Sequence, residues 1–168
     1  MLRKTLVIAL TLIGFSSATL AAEVPITGTV QSRCVITTDN AGTFGNPNAY
    51  TLTTSLAEGG EPAVVRYDVT LADAYFAEIT TPTQFSSSPS LPDVVTWTGS
   101  VEVETVSDAT NMGDYETNKI EYGFTDKYDL TATGSTWFKI EAVATMGGNK
   151  AFPGGTYTAV AEALCVAQ

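Results

Sequence analysis

Alternation of apolar and polar side chains with a period of two runs through this chain, while helical spacing is hard to find. Ala63, Val65, Tyr67, Val69 and Leu71 fall on one side of an extended segment, and Val64, Arg66, Asp68 and Thr70 on the other. Successive side chains of a β-strand point to opposite faces, so this is the signature of a half-buried strand. Val101, Val103 and Thr105 alternate in the same way with Glu102, Glu104 and Val106. Phe138, Ile140, Ala142 and Ala144 alternate with Trp137, Lys139, Glu141 and Val143. Shorter candidate strands cover 34–37, 50–56, 74–80, 94–98 and 120–124. The last fourteen residues, 155–168, read as one unbroken strand entered through a Pro153-Gly154-Gly155 turn.

Turn residues separate these runs: Asp39-Asn40-Ala41-Gly42, Gly45-Asn46-Pro47-Asn48, Glu58-Gly59-Gly60-Glu61-Pro62 and Met146-Gly147-Gly148-Asn149. Glycine supplies positive φ, proline presets φ, and Asn or Asp bonds its own backbone. Residues 81–92, with Pro82, Pro89, Pro92 and several serines, read as a longer loop joining two parts of one domain. Many short strands with regular turn signals predict an all-β chain with an immunoglobulin-like β-sandwich.

The N-terminus has the form of a secretory leader over 1–22. Arg3 and Lys4 precede an apolar stretch, 5–15, too short to span a bilayer as a helix. Small residues follow, giving cleavage after Ala21 or Ala22; an uncleaved anchor is the competing reading. Without Arg3 and Lys4 the chain carries 6 basic against 18 acidic residues, a net charge near −12. A field of that sign opposes nucleic acid and anionic membrane surfaces. Both cysteines, Cys34 and Cys165, lie beyond the leader. In an oxidising compartment they predict one disulfide that ties the first strand to the last, with two buried free thiols as the alternative.

The sequence offers little to catalysis. It contains no histidine, which removes Ser-His and Cys-His nucleophile pairs and imidazole zinc sites. Two cysteines cannot form a four-thiolate site, and no phosphate-binding glycine loop is present. No catalytic residue, metal site or cofactor is therefore expected. Asp108, Asn111, Asp114 and Glu116 gather oxygen ligands in one loop, in a spacing unlike that of an EF-hand. Trp97, Trp137, Tyr115, Tyr122 and Tyr128 could stack on a sugar, although such residues commonly serve as core or cross-strand pairs. On these two features rests an alternative function: a monomeric secreted module binding carbohydrate or a calcium-dependent ligand.

The two ends carry the strongest pattern. Val24, Ile26, Gly28 and Val30 share one face of a segment directly after the leader, and Cys34 follows. At the other end, Gly155 stands fourteen positions from the C-terminus and opens Gly155-Thr156-Tyr157-Thr158. Tyr157, Ala159, Ala161, Ala163 and Cys165 then alternate. This pairing of ends resembles the pilin subunits of chaperone–usher fimbriae, of the type 1-like or archaic class. The sequence departs from that pattern in having Ala167 where the family has an aromatic, and Cys165 on the last strand rather than an early one.

The resemblance implies an incomplete sandwich over 34–168, preceded by a donor-strand extension over 23–33. Gly155, Tyr157, Ala159, Ala161 and Ala163 would line an acceptor groove, and Val24, Ile26, Gly28 and Val30 of another subunit would fill it. Either 23–27 is the donor, leaving strand A to start at Gly28, or 24–30 is the donor and strand A starts near Cys34; the second is preferred. Return of 24–30 to its own domain as an edge strand stays open. The resemblance further implies partners: other copies or related pilins, a periplasmic chaperone, an outer-membrane usher, and a host or surface ligand. It implies export through the periplasm to a surface fimbria used in adhesion and biofilm formation.

Overall fold

A computed structural model describes residues 33–71 and 75–168. The expected leader and the expected donor residues Val24, Ile26, Gly28 and Val30 lie outside the described residues.

The chain is all-β, with every strand pairing antiparallel. The strands, in order, are β1 (Arg33–Asn40), β2 (Gly45–Asn48), β3 (Thr51–Thr53), β4 (Ala63–Leu71), β5 (Tyr75–Thr80), β6 (Phe85–Ser87) and β7 (Val95–Val106). After a one-turn helix α1 (Ala109–Met112) come β8 (Ile120–Tyr122), β9 (Thr125–Leu130), β10 (Gly134–Met146), β11 (Thr158–Ala159) and β12 (Glu162–Ala167).

Two sheets face each other. The first is built on β10, whose alternation leaves Phe138, Ile140, Ala142, Ala144 and Met146 buried on one face. Along one side of β10 lie β4 and then β3; along the other lies β7 for nearly the whole length. β1 adds outside β4, and β2 outside β3. The second sheet runs β12-β5-β9-β8, and the β11–β6 pair lies alongside in chain continuity with β12 and β5. Between the sheets, Val65, Tyr67 and Val69 of β4 meet Ala77, Ile79, Tyr128 and Leu130 of the second sheet. Phe138 anchors this core with edge-on contact to Tyr67 at 5.3 Å and tilted contact to Tyr128 at 4.6 Å. Such pairs add roughly 0.5–1.5 kcal/mol beyond their burial. A smaller cluster of Leu52, Trp97, Ala142 and Ala144 fills one end, joined by Phe44, Phe85, Phe152 and Tyr157.

Several expectations need correction. The final strand is not unbroken: β11 is two residues, residues 155–157 lie outside any strand, and β12 resumes at Glu162. The break falls where the partner changes from β6 to β5. Segments 94–98 and 101–106 are one twelve-residue strand, because Gly99 and Ser100 continue the pairing to Ala142 and Glu141. A bulge opposite Trp137/Phe138 then shifts the register, so Val106, not Thr105, turns toward the core. Segment 50–56 shortens to β3, since Leu56 opens a 3-10 turn. Gly45–Asn48 and Phe85–Ser87, expected as turn and loop, pair as β2 and β6. β9 was not expected at all.

Candidate functional site

The two sheet edges that flank the chain ends are uncovered. In the C-terminal segment Tyr157, Ala159, Ala161, Ala163 and Cys165 point inward yet are only half-buried. They alternate with outward Val160 and Leu164, exposed at 60% and 55%. β1 likewise contains no buried residue, and its inward Cys34 and Ile36 are half-buried. One strand further in, the inward residues Tyr67 of β4 and Ala77 and Ile79 of β5 are 0% exposed. Burial thus falls from the strands one step inside to the two facing edge strands, β1 and the C-terminal segment.

β1 and the C-terminal segment run past each other in opposite directions. The disulfide between Cys34 and Cys165 holds them together at one end, with a Cα–Cα distance of 6.4 Å. At the other end they part around a cavity of about 580 Å³. Its walls are Ala41 to Phe44 on one side and Gly155, Tyr157, Ala159 and Ala161 on the other; Leu52, Ile140 and Ala142 form the floor. Four of the five residues expected to line an acceptor groove thus share this cavity, while Ala163 packs nearer the disulfide against the main core. The Tyr157 ring on this wall lies 5.1 Å from Phe85, which in turn stands 4.7 Å from Trp97. The Tyr157 hydroxyl donates to the Pro153 carbonyl at 2.5 Å, which fixes the ring against that wall. Gly155 has φ +153°, and a Cβ there would sit 2.5 Å from the Pro89 ring. Only glycine lets the chain turn under that ring into the groove.

Another edge of the first sheet, that of β7, is closed by different means. At Val101 and Val103 the side of β7 that faces away from β10 has backbone groups engaged by side chains. Val101 N–H donates to Asp126 Oδ2 at 3.2 Å, and Val103 N–H to Glu116 Oε2 at 2.7 Å. The Val101 carbonyl accepts from Tyr128 Oη at 2.7 Å and from Lys119 Nζ at 3.2 Å. Lys119 also bridges Glu116 and Glu121 at 3.0 and 3.2 Å. Burial pushes the Asp126 carboxyl above its usual range against the opposing pull of Lys119 and the Val101 N–H. Burial also raises the Tyr128 hydroxyl, with the surrounding carboxylates adding to it. Unpaired strand edges recruit other strands, and buried side-chain plugs of this kind block them. The β7 edge is plugged at residues 101–103, whereas the gap between β1 and the C-terminal segment is open at the end away from the disulfide.

The other candidate features do not converge. Asp108 caps α1, accepting from Thr110 and Asn111 N–H groups at 3.0 and 3.3 Å. Asp114 accepts from the Asn118 amide at 2.9 Å, and Glu116 is committed to β7. Among the described residues no group of three or more His, Cys, Asp or Glu is placed to hold a metal ion. Of the aromatic set, Trp97, Tyr115 and Tyr128 are core residues. Trp137 lies on the outer face of the first sheet, stacked by Arg66 and donating to Asp39 at 2.8 Å. Tyr122 is exposed on β8 of the second sheet. They form no common platform.

Sequence reasoning missed Phe44 and Leu52 as cavity residues: Phe44 falls between two turn signals, and Leu52, although inside the expected strand 50–56, carries no local sign of what it faces. No protein-family model matches the chain, and no curated protein or solved structure matches it significantly.

Proposed function

We propose that this protein is a structural or adhesive subunit of a surface fimbria, exported through the periplasm and assembled by donor-strand exchange. The body is an incomplete immunoglobulin-like sandwich, and the alternating segment 24–30 of another copy supplies its missing strand. The observation that carries the reading is the half-burial of the inward Tyr157, Ala159 and Ala161 beside an open apolar-floored cavity. A strand laid there bonds the free backbone edge and places alternate side chains on the core, which is β-strand addition. Burying Val24, Ile26 and Val30 contributes roughly 1.5–3 kcal/mol each. The contact is head-to-tail and non-closing, so it propagates into a filament. A periplasmic chaperone and an outer-membrane usher are the partners such assembly requires. No catalytic role is assigned.

Deletion of residues 23–30 from the mature chain tests this. Heat-sensitive multimer ladders on gels disappear if the segment is the donor, while the deleted subunit still accepts a donor from intact chains. Ladders of undiminished length in the deletion variant refute it. The scattered aromatic residues and the committed 108–116 loop give no support to a sugar- or calcium-binding module.

A further inference from the structure

We infer that the Cys34–Cys165 bridge is a stop that limits an incoming strand to one half of the groove, residues 155–161, and so sets both the length and the register of the donor. This rests on the donor-strand reading above and commits to one occupant: residues 24–30 of a second copy.

A strand bonded to edges on both sides needs two interstrand spacings, about 9.5 Å between those edges. At the bridge the edges are 6.4 Å apart, Cα to Cα. No strand passes there. One residue earlier the Leu164 carbonyl is already engaged, accepting from the Tyr67 hydroxyl at 3.1 Å. Ile36 and Ala163 pack on the main core at this end, and the cavity begins only at Ala161. From Ala161 to Gly155 the open wall is seven residues long, at most about 23 Å if fully extended. The alternating segment from Val24 to Val30 is also seven residues. Donor and opening match in length, and the bridge leaves no room for a slip toward the chain's end.

The same geometry selects a second copy over self-completion. The described chain begins at Arg33, beside the bridge, at the closed end of the groove. Its own residues 24–30 reach the open half only by reversing direction and passing the bridge. A neighbour's segment enters from the open end, between Phe44 and Gly155.

The test uses assembled mature protein carrying photoreactive p-benzoyl-phenylalanine in place of Ile26, mixed from isotopically light and heavy copies so that adducts between chains are distinguished by mass. Adducts between copies on Phe44, Leu52, Tyr157 or Ala159, with none on residues 163–166, are expected. Adducts between copies on 163–166 overturn the stop while leaving strand exchange intact. Adducts confined within one chain, or absent in assembled material, overturn both. In a second arm, Cys34→Ser/Cys165→Ser copies that assemble show adducts spreading to 163–166; an unchanged map there means that something other than the bridge sets the limit. If the double variant does not assemble, the first arm decides alone.

Discussion

The Tyr67 hydroxyl, at the centre of β4, donates to the carbonyl of Leu164 on β12 at 3.1 Å, joining the two sheets across 97 positions of sequence. Burial pushes this hydroxyl's pKa far up, with the nearby Glu78 carboxylate adding to it. It therefore stays a donor at any ordinary pH. The bond and the neighbouring disulfide together close one end of the gap between the sheet edges; the other end, without such a tie, is the open cavity.

Tyr67→Phe removes this tie and keeps the ring's edge contact with Phe138 at 5.3 Å. The loss of one such hydrogen bond costs about 1 kcal/mol, or roughly 3–6 °C in melting temperature for a domain of this size. Amide exchange should quicken along β12 more than along β9. Equal change on both strands would mean that the bond does not hold β12 locally.

The disulfide spans 131 positions. Closing a loop of that length in the unfolded chain corresponds to about 5 kcal/mol in the chain-entropy model. Cys34→Ser/Cys165→Ser should lower stability by up to that amount, a third or more of the roughly 5–15 kcal/mol typical of a domain, with the denaturant midpoint falling accordingly, and reductant should destabilise the wild type to the same level. A midpoint insensitive to reductant would show that the bridge contributes nothing in solution.

Gly155→Ala meets two obstacles: a φ of +153° that side chains rarely adopt, and the Pro89 ring 2.5 Å from the new Cβ. Strain of this kind costs on the order of 1–3 kcal/mol. Pro89→Ala in the same chain relieves the collision and leaves the backbone strain, so it should restore only part of the loss. Full restoration would make the effect purely steric. A Gly155→Ala variant as stable as wild type would show that the chain has another way into the groove.

How much of this was legible beforehand depends on how local the cause is. The inward parity of Tyr157, Ala159, Ala161, Ala163 and Cys165 follows from alternation alone, and the structure places all five on the inner face. The pairing of Cys34 with Cys165 was expected from the reading of the chain as exported with two cysteines, and the structure joins them. β9 escaped notice because its inward positions are Asp126, Tyr128 and Leu130, and a carboxylate breaks the apolar pattern. Asp126 is buried for a reason no nearby residue reveals: its partner is the Val101 backbone, on the opposite sheet. The Val106 error came from a bulge whose cause is the register against β10, again a distant partner. That the gap opens at one end and closes at the other needs both edges at once, and no single segment encodes it.

Asp126 offers a test of how the β7 edge is sealed. Its carboxylate accepts from Val101 N–H while Glu116, Lys119 and Glu121 surround it, and burial sets its pKa above the ordinary aspartate range of about 3.9. A folded-state pKa raised in this way means that the folded protein holds this proton to higher pH than the unfolded chain does. The resulting stability is fully present below the unfolded value and is lost as pH rises through the folded one. Asp126→Asn keeps an acceptor oxygen for Val101 N–H and carries no charge at any pH. The variant's stability relative to wild type should therefore be highest near neutrality and decline as the solution is acidified toward pH 3, where both side chains are neutral. Other carboxylates titrate in both proteins and largely cancel in the comparison. Melting curves from pH 3 to 7 that run parallel for the two proteins would mean that burial does not shift this group. A variant that instead loses stability most at neutral pH would mean that the attraction to Lys119 outweighs desolvation, and that the charged carboxylate itself helps to hold the edge shut.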